Sequence, residues 1–240
     1  MHKTVAEARA FIRELRAQAL PREVDVVVAP PFTALFAVHE ELRGSHIGLG
    51  AQTMHETSHG PYTGEISPVM LYELGVRFAI VGHSERREHC GETDASVNRK
   101  VVSALAHGIT PIVAVGETKA EYQAGKTKER VTQQARAAFA GVVPSDVARC
   151  IVAYEPIWAI GTGLSDNPQN ANGVMAEIRA AVEGLQHARI LYGGSMKPEN
   201  TAALVAQPEI DGGLVGGASL TVPAFTAILA AAVPAGAGAR

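Results

Sequence analysis

A carboxylate and an imidazole each follow an apolar run of the chain, in positions where both could take part in proton transfer. Glu155 comes directly after IVAY (151–154), and His83 follows FAIVG (78–82). A carboxylate can remove a proton from a carbon next to a carbonyl group, and a neutral imidazole can polarise that carbonyl and move protons between oxygens. Together they would form an acid–base pair that could generate an enediolate. A barrel-end ion pair and a structural histidine would explain the same two residues separately.

The segment that follows Glu155 predicts a lid. Pro156 is followed by large apolar residues and then by Gly161-Thr162-Gly163. An enediolate beside a phosphate ester would eliminate phosphate if water reached it, so an apolar segment that closes over the site would protect it. We therefore interpret residues 156–163 as a lid attached directly to the base.

Two glycine-rich turns follow the last two apolar runs, Gly193-Gly194-Ser195 and then Gly216-Gly217-Ala218-Ser219. Backbone N–H groups bind phosphate well, and glycine lets the backbone approach it closely. Either turn alone would be explained as a tight strand-to-helix connection. Because they follow neighbouring strands, the two turns together predict a phosphate site.

Strands and helices alternate along the chain, which predicts one α/β domain over residues 1–240. Near-continuous apolar runs of this kind are typical of parallel strands that are buried on both faces. Thr4 and Glu7 fit a capping box, so a helix is expected from Val5 to about Ala19, with no strand before it. Eight helical segments and seven strands therefore favour a TIM (β/α)8 barrel that lacks its first strand. The seven predicted strands are 24–30, 47–52, 78–82, 110–116, 150–156, 188–194 and 212–217.

The composition excludes several classes of function. The chain has 240 residues, 47% hydrophobic, and a net charge of −3 with no long basic run, so nucleic acid is not expected as a partner. No apolar stretch is long enough to cross a bilayer, and the N-terminus lacks the layout of a signal peptide. Cys90 and Cys150 are read as reduced thiols of a cytoplasmic protein. His55 and His59 have no third ligand in sight, so no metal site is expected.

Five stretches of the chain resemble the triosephosphate isomerase family, and they occur in the family's order over nearly the whole length. These stretches are AYEPIWAIGTG (153–163), VGHSERR (81–87), PYTGEIS (61–67), LYGGSMKPEN (191–200) and DGGLVGGASL (211–220). The resemblance implies a barrel enzyme that interconverts dihydroxyacetone phosphate and glyceraldehyde 3-phosphate in glycolysis and gluconeogenesis. It implies no metal and no cofactor, and it implies a homodimer.

The resemblance also implies roles for individual residues. Glu155 would be the base and His83 the electrophile, with Glu85 as a supporting carboxylate behind them. Thr63, in the loop 51–65, would reach from a dimer arm into the neighbour's site. The phosphate would be held by Gly161, Ser195, Gly216 and Gly217.

The sequence departs from the family in two places that bear on function. The family's first strand, with its Asn-x-Lys, would come just before MHKT, and Lys3 does not replace that lysine. We therefore expect that the chain is truncated at its N-terminus through a misassigned start. A chain that truly begins at Met1 is expected to form a damaged barrel with strongly reduced isomerase activity, or to keep only a binding or vestigial role. Asp166 stands where the family usually has a small residue, so the hinge of the lid is expected to be altered.

Residues 120–127, AEYQAGKT, suggest an alternative function, nucleotide binding, because they fit a loose nucleotide-loop pattern. A true loop of that kind follows a strand and is rich in glycine. This segment is charged and helical in pattern, so the nucleotide-binding interpretation is the weaker one.

Overall fold

A parallel sheet of six strands forms the centre of the protein. The computed structural model describes residues 1–159 and 166–233. The strands pair in sequence order, each parallel to the next. They are β1 (Val27–Val28), β2 (Gly48–Ala51), β3 (Phe78–Val81), β4 (Thr110–Val115), β5 (Ile151–Tyr154) and β6 (Arg189–Tyr192).

Helices connect successive strands, as parallel pairing requires. The α-helices are α1 (Val5–Arg16), α2 (Leu35–Leu42), α3 (Pro68–Glu73), α4 (Ser84–His89), α5 (Asp94–Ala106), α6 (Lys119–Gln123), α7 (Thr127–Ala138), α8 (Pro144–Val147), α9 (Pro168–Ala181), α10 (Pro198–Val205) and α11 (Val222–Ala231). Four 3₁₀ segments lie at Phe32–Ala34, Ile157–Ala159, Leu185–His187 and Gly217–Leu220. Helices and strands alternate around a curled sheet, which confirms the α/β barrel class. Within the described ranges, no helix is long and apolar enough to cross a membrane.

The strands are buried on both faces, as their continuous apolar runs predicted. Val113, Val152 and Ile190 are fully buried and belong to the same core as the inner faces of the helices. In a parallel sheet all strands end at the same edge, so the loops after β3, β5 and β6 are brought to one end of the barrel.

The prediction of a strand over all of residues 212–217 is wrong. Gly213 forms only a single parallel bridge with Tyr192. Gly212 takes a φ of 154°, in the region that favours glycine, and four of the six residues lack a side chain that could pack on a neighbour. β1 is likewise reduced to two of the seven residues 24–30, because β2 is its only partner in the part of the chain that the structure describes.

The first helix begins as predicted. The Thr4 hydroxyl accepts a hydrogen bond from the Glu7 N–H, and the Glu7 carboxylate accepts one from the Thr4 N–H at 2.7 Å. α1 ends at Arg16, three residues before the predicted Ala19. It packs against both α2 and α11, so it joins the two ends of the helical layer. This placement explains why the chain keeps a helix that no described strand precedes.

We predict that truncating the buried face of α1 destabilises the barrel. Leu15 is fully buried, and Leu15→Ala should lower the free energy of unfolding by about 2–5 kcal/mol, because the cavity it leaves adds to the lost burial. Val5 lies on the same helix and is 41% exposed, so Val5→Ala is the matched control. Thermal unfolding of both variants tests this. Equal melting temperatures would contradict the packing of α1 between α2 and α11.

Candidate active site

The turn after β3 brings His83 to the carboxyl-terminal end of the sheet. Gly82 takes a φ of +76°, which lets the chain turn sharply between the strand and α4. A Cβ at this position would lie 3.0 Å from the carbonyl oxygen of Ala114, so a side chain would also crowd β4. His83 then becomes the N-cap residue of α4.

Glu155 follows β5 and meets His83 across the end of β4. Its carboxylate is buried, with a residue exposure of 2%. One oxygen lies 3.0 Å from His83 Nε2, and the other accepts a hydrogen bond of 3.0 Å from the Ser84 N–H. No lysine or arginine among the described residues pairs with it. The structure therefore brings the predicted base and electrophile into direct contact.

The hydrogen bonds of His83 define which ring nitrogen carries the proton. The Glu85 N–H, in the first turn of α4, donates to His83 Nδ1 at 3.3 Å. Because Nδ1 is then an acceptor, the neutral ring carries its proton on Nε2, facing Glu155. Burial lowers the pKa of His83, but the hydrogen bond and negative charge of Glu155 outweigh burial and raise that pKa above its ordinary value.

Two glycines on the neighbouring strand ends make room for Glu155. A Cβ at Gly116, after β4, would overlap the carbonyl oxygen of Glu155. A Cβ at Gly193, after β6, would lie 2.9 Å from the Cγ of Glu155. A side chain at Gly116 would require the backbone of Glu155 to move, and one at Gly193 would require its side chain to move, so both glycines allow the base to sit where it does.

The second predicted phosphate turn is open to solvent. Gly216 and Gly217 are exposed, and a Cβ on either would meet no atom within 4 Å. Packing within the chain therefore does not require glycine there. The backbone N–H groups of Ser195, Gly216 and Gly217 donate to no acceptor in the described ranges. Free N–H donors beside glycines suit an anion, as the sequence predicted.

The start of the predicted lid is anchored through Trp158, in the 3₁₀ segment Ile157–Ala159. Its Nε1–H donates to a carboxylate oxygen of Glu117 at 2.7 Å, and the Tyr154 hydroxyl donates to the same oxygen at 3.2 Å. Tyr122 stacks on the indole with ring centroids 4.3 Å apart. Gly161, predicted to bind phosphate, lies outside the described residues. The roles of the remaining lid residues stay predictions.

Glu117 was missed by the sequence analysis as a member of this site. It is fully buried, and burial raises its pKa against the opposing effect of the Trp158 hydrogen bond. The signal that could have found it is the indole N–H of Trp158, because a buried Trp N–H usually has an acceptor.

A second group that the sequence analysis missed supports the turn before His83. The buried carboxylate of Glu92 accepts hydrogen bonds from the Gly82 N–H at 2.7 Å and from Arg86 at 2.8 Å. The buried ammonium of Lys100 lies 3.2 Å from Glu92 and 3.2 Å from the Thr53 hydroxyl. This network joins the turn that carries His83 to the start of the predicted arm.

The side chains of the remaining predicted residues form no hydrogen bond with the carboxylate–imidazole pair in the part of the chain that the structure describes. Glu85 contributes its N–H to His83, while its side chain is exposed and forms no hydrogen bond or ion pair with any described residue. Thr63 is exposed on the arm. His55 bonds to Thr57 and stacks on Tyr62 within the same loop. The roles of Glu85 and Thr63 stay predictions.

Residues 120–127 do not form a nucleotide loop. Most of them belong to α6 and to the turn before α7, and the capping box of Thr118 and Glu121 begins that helix. A phosphate-binding loop would instead connect a strand directly to a helix.

The comparisons with known proteins agree on one family. The triosephosphate isomerase family model matches residues 1–232. A triosephosphate isomerase of Chloroflexus aurantiacus is 49% identical over 238 residues, which cover 95% of this chain and 94% of the relative. That of Symbiobacterium thermophilum is also 49% identical, over 98% of this chain and 94% of its own length. One from Thermoanaerobacter sp. is 48% identical, with 95% of each chain covered.

The contact between His83 and Glu155 yields a prediction for the titration of the ring. Glu155→Gln removes the negative charge but keeps the size of the side chain, so the pKa of His83 should fall. Glu177→Gln, which alters an exposed carboxylate paired with Lys128, is the control and should leave it unchanged. Nitrogen-15 NMR titration of the imidazoles measures this, with His83→Gln used to assign the resonance. A His83 pKa that is the same in wild type and Glu155→Gln would contradict the pairing.

Proposed function

The chain belongs to the triosephosphate isomerase family, and we propose that it interconverts dihydroxyacetone phosphate and D-glyceraldehyde 3-phosphate through an enediolate. The observation that carries the proposal is the buried carboxylate of Glu155 in contact with the Nε2 of His83 at 3.0 Å. One group can take a proton from carbon while the other faces the oxygen that gains charge.

Glu155 is the proposed base. Its oxygens are held by a ring N–H and a backbone N–H, so the carboxylate has a defined direction before substrate arrives. Preorganisation of this kind lowers the barrier, because the reacting groups need no further ordering. Removal of a proton from the carbon beside the carbonyl would give the enediolate, and return of a proton to the neighbouring carbon would give the isomer.

His83 is the proposed electrophile, and it acts as a neutral ring once substrate has separated it from Glu155, because the hydrogen bond that raises its pKa is then lost while burial remains. Its Nδ1 already accepts the Glu85 N–H, so protonation at Nδ1 would place two donors face to face. In the ligand-free site Nε2 donates to Glu155. The substrate oxygen must therefore replace Glu155 as the acceptor of that proton, which separates the base from the ring and frees it to face carbon.

The proposed phosphate site is built from backbone groups. The N–H groups of Ser195, Gly216 and Gly217, which have no acceptor among residues 1–159 and 166–233, support it, and no atom of those residues crowds the two glycines. Gly193 connects this site to the base, since it packs directly against Glu155. Binding of the phosphate would thereby orient the reacting carbons against the carboxylate. The proposed steps move only protons, so they call for no metal and no cofactor.

The proposal includes a homodimer in the cytoplasm. The loop 51–65 is ordered by its own contacts, including Glu56 with Arg99 at 2.7 Å and Ser58 with His107 at 2.9 Å. Its Tyr62 is nevertheless 47% exposed, as expected for an arm that a second copy would cover. Cys90 and Cys150 are both free thiols, which is typical of a reducing compartment. Work in glycolysis and gluconeogenesis would follow from the reaction.

Kinetics of Glu155→Gln test the proposed function. The amide keeps the hydrogen-bonding shape of the carboxylate but cannot accept the proton from carbon. We expect kcat to fall by roughly 10²–10⁴ relative to the unmodified chain, with a smaller change in KM. The measurement is the rate of glyceraldehyde 3-phosphate formation from dihydroxyacetone phosphate.

The matched control is Glu177→Gln, an exposed carboxylate on α9 that should leave the rate unchanged. If Glu155→Gln retained the rate of the unmodified chain, the assignment of the base would be wrong. If the unmodified chain gave no isomerisation above the buffer rate, the proposed activity itself would fall.

A further inference from the structure

Asp166 is a buried carboxylate that the proposed reaction does not use. It lies just before α9 with 5% of its surface exposed. The Asn170 side-chain amide is 2.9 Å from both of its oxygens, and the Asn167 N–H donates to one of them at 2.8 Å. No lysine, arginine or histidine of the described residues pairs with it. Burying a carboxylate without a cation is costly, so its presence calls for a reason.

Helix capping does not supply that reason. The N-cap of α9 is Asn167, whose side chain accepts the N–H groups of Gln169 and Asn170. Pro168 follows it at the first helical position, where its fixed φ favours helix initiation. The first-turn N–H groups are therefore capped by Asn167, while the Asp166 carboxylate accepts only the Asn167 N–H and the Asn170 side chain.

Asp166 is instead tied to the strand that leads into the phosphate turn. Its backbone N–H donates to the hydroxyl of Tyr192 at 3.1 Å, and Tyr192 is the last residue of β6. That hydroxyl lies against Gly194, where a Cβ would overlap it. The backbone of Asp166 is therefore linked to the turn 193–195 through a single tyrosine hydroxyl, and the charge of Asp166 acts on that tyrosine.

We propose that Asp166 takes up a proton when a phosphate or another tetrahedral anion binds at the turn 193–195. The inference rests on the proposed function, because it takes this turn as the phosphate site. An anion bound there repels the Asp166 carboxylate through a medium that contains little water, which strengthens the repulsion. Protonation of Asp166 removes this repulsion. The affinity for an anion then rises as pH falls through the range in which Asp166 gains its proton.

The surroundings of Asp166 make this coupling possible. Burial raises the pKa of its carboxyl above the ordinary value, against the hydrogen bonds from Asn170 and Asn167. The titratable groups on which its charge acts, among the described residues, are Tyr192 on β6 and Tyr154 on β5, and Glu117 after β4 acts on the same two tyrosines. Both tyrosines have raised pKa values and stay neutral, so Glu117 is the one neighbour that could bind the proton instead.

The probe for this inference is inorganic sulfate, because it stays fully ionised and any proton taken up must come to the protein. Its dissociation constant is measured at about pH 5.5 and about pH 8.5, a range chosen to include carboxyls with raised pKa values. The chemical shift of the Ser195 amide reports binding at the turn itself. The variants are Asp166→Asn, which keeps the shape, and Asp166→Ala as a smaller second change. Asp146→Asn, at a partly exposed carboxylate paired with Arg149, is the control.

We expect the unmodified chain and Asp146→Asn to bind sulfate about tenfold more tightly at the lower pH. Both Asp166 variants should lose most of this dependence of sulfate affinity on pH. Any dependence that remains comes from other groups such as His83. Asp166→Ala should melt at about the same temperature as the unmodified chain, because removal of a buried charge without a cation offsets the loss of the acceptor for Asn167 and Asn170. Loss of the pH dependence, with tight sulfate binding at both pH values and no loss of stability, would separate the coupling from a structural role.

Two results would overturn the inference in different ways. If the Asp166 variants keep the full pH dependence, or if Glu117→Gln loses it while they do not, the proton goes elsewhere and the phosphate site stands. If sulfate leaves the Ser195 amide unshifted in the unmodified chain, the phosphate site of the proposed function fails and the inference fails with it.

Discussion

The structure depends on holding one carboxylate, that of Glu155, buried and directed without a cation to neutralise it. An isolated carboxylate in a protein interior is very costly unless hydrogen bonds replace its hydration. Here the replacement comes from His83 and from the Ser84 N–H at the start of α4. Both donors come from the turn after β3, two strands away from the base. The order of the parallel sheet therefore decides whether the carboxylate can exist in this place at all.

The neighbouring strand ends are shaped by the same requirement. Gly116 and Gly193 flank Glu155 and leave the space that its backbone and side chain occupy. The sharp turn at Gly82 aims His83, and Glu92 fixes that turn through the Gly82 N–H. Each device costs conformational entropy or burial of charge, and together they produce a rigid site. Such local costs are typical of functional sites, where geometry matters more than stability.

Besides Glu92, the buried carboxylates Glu155, Glu117 and Asp166 lie at this end of the barrel. Glu117 receives the indole of Trp158 just after the base, and Asp166 holds Tyr192 just before α9. Trp158 and Asp166, on either side of residues 160–165, are thus both anchored. Burial raises the pKa of Glu117 at the first anchor and of Asp166 at the second. Acids of this kind respond to charge that arrives nearby, which connects the chemistry of the site to its electrostatics.

Much of this arrangement could be predicted from the sequence, because the strongest signals are local. The capping box of Thr4 and Glu7, the buried strand runs and the placement of His83 and Glu155 at strand ends all follow from short stretches. The contact between His83 and Glu155 could not be predicted, since it depends on the curl of the sheet over more than 70 residues of chain. The extent of the strand at 212–217 was predicted wrongly, because an apolar run does not reveal whether a partner strand lies on each side. Glu117 and Glu92 were missed for a similar reason, as each has its partners in distant elements.

The most direct test of the account is isomerisation of dihydroxyacetone phosphate in deuterium oxide, followed by NMR of the glyceraldehyde 3-phosphate that forms. If Glu155 carries a proton between two carbons, that proton can exchange with solvent before it returns, so the account predicts deuterium at C2 of the product. It also predicts that Glu155→Gln abolishes the labelled product. Product formed equally well by Glu155→Gln, with or without label, would contradict proton transfer by this carboxylate.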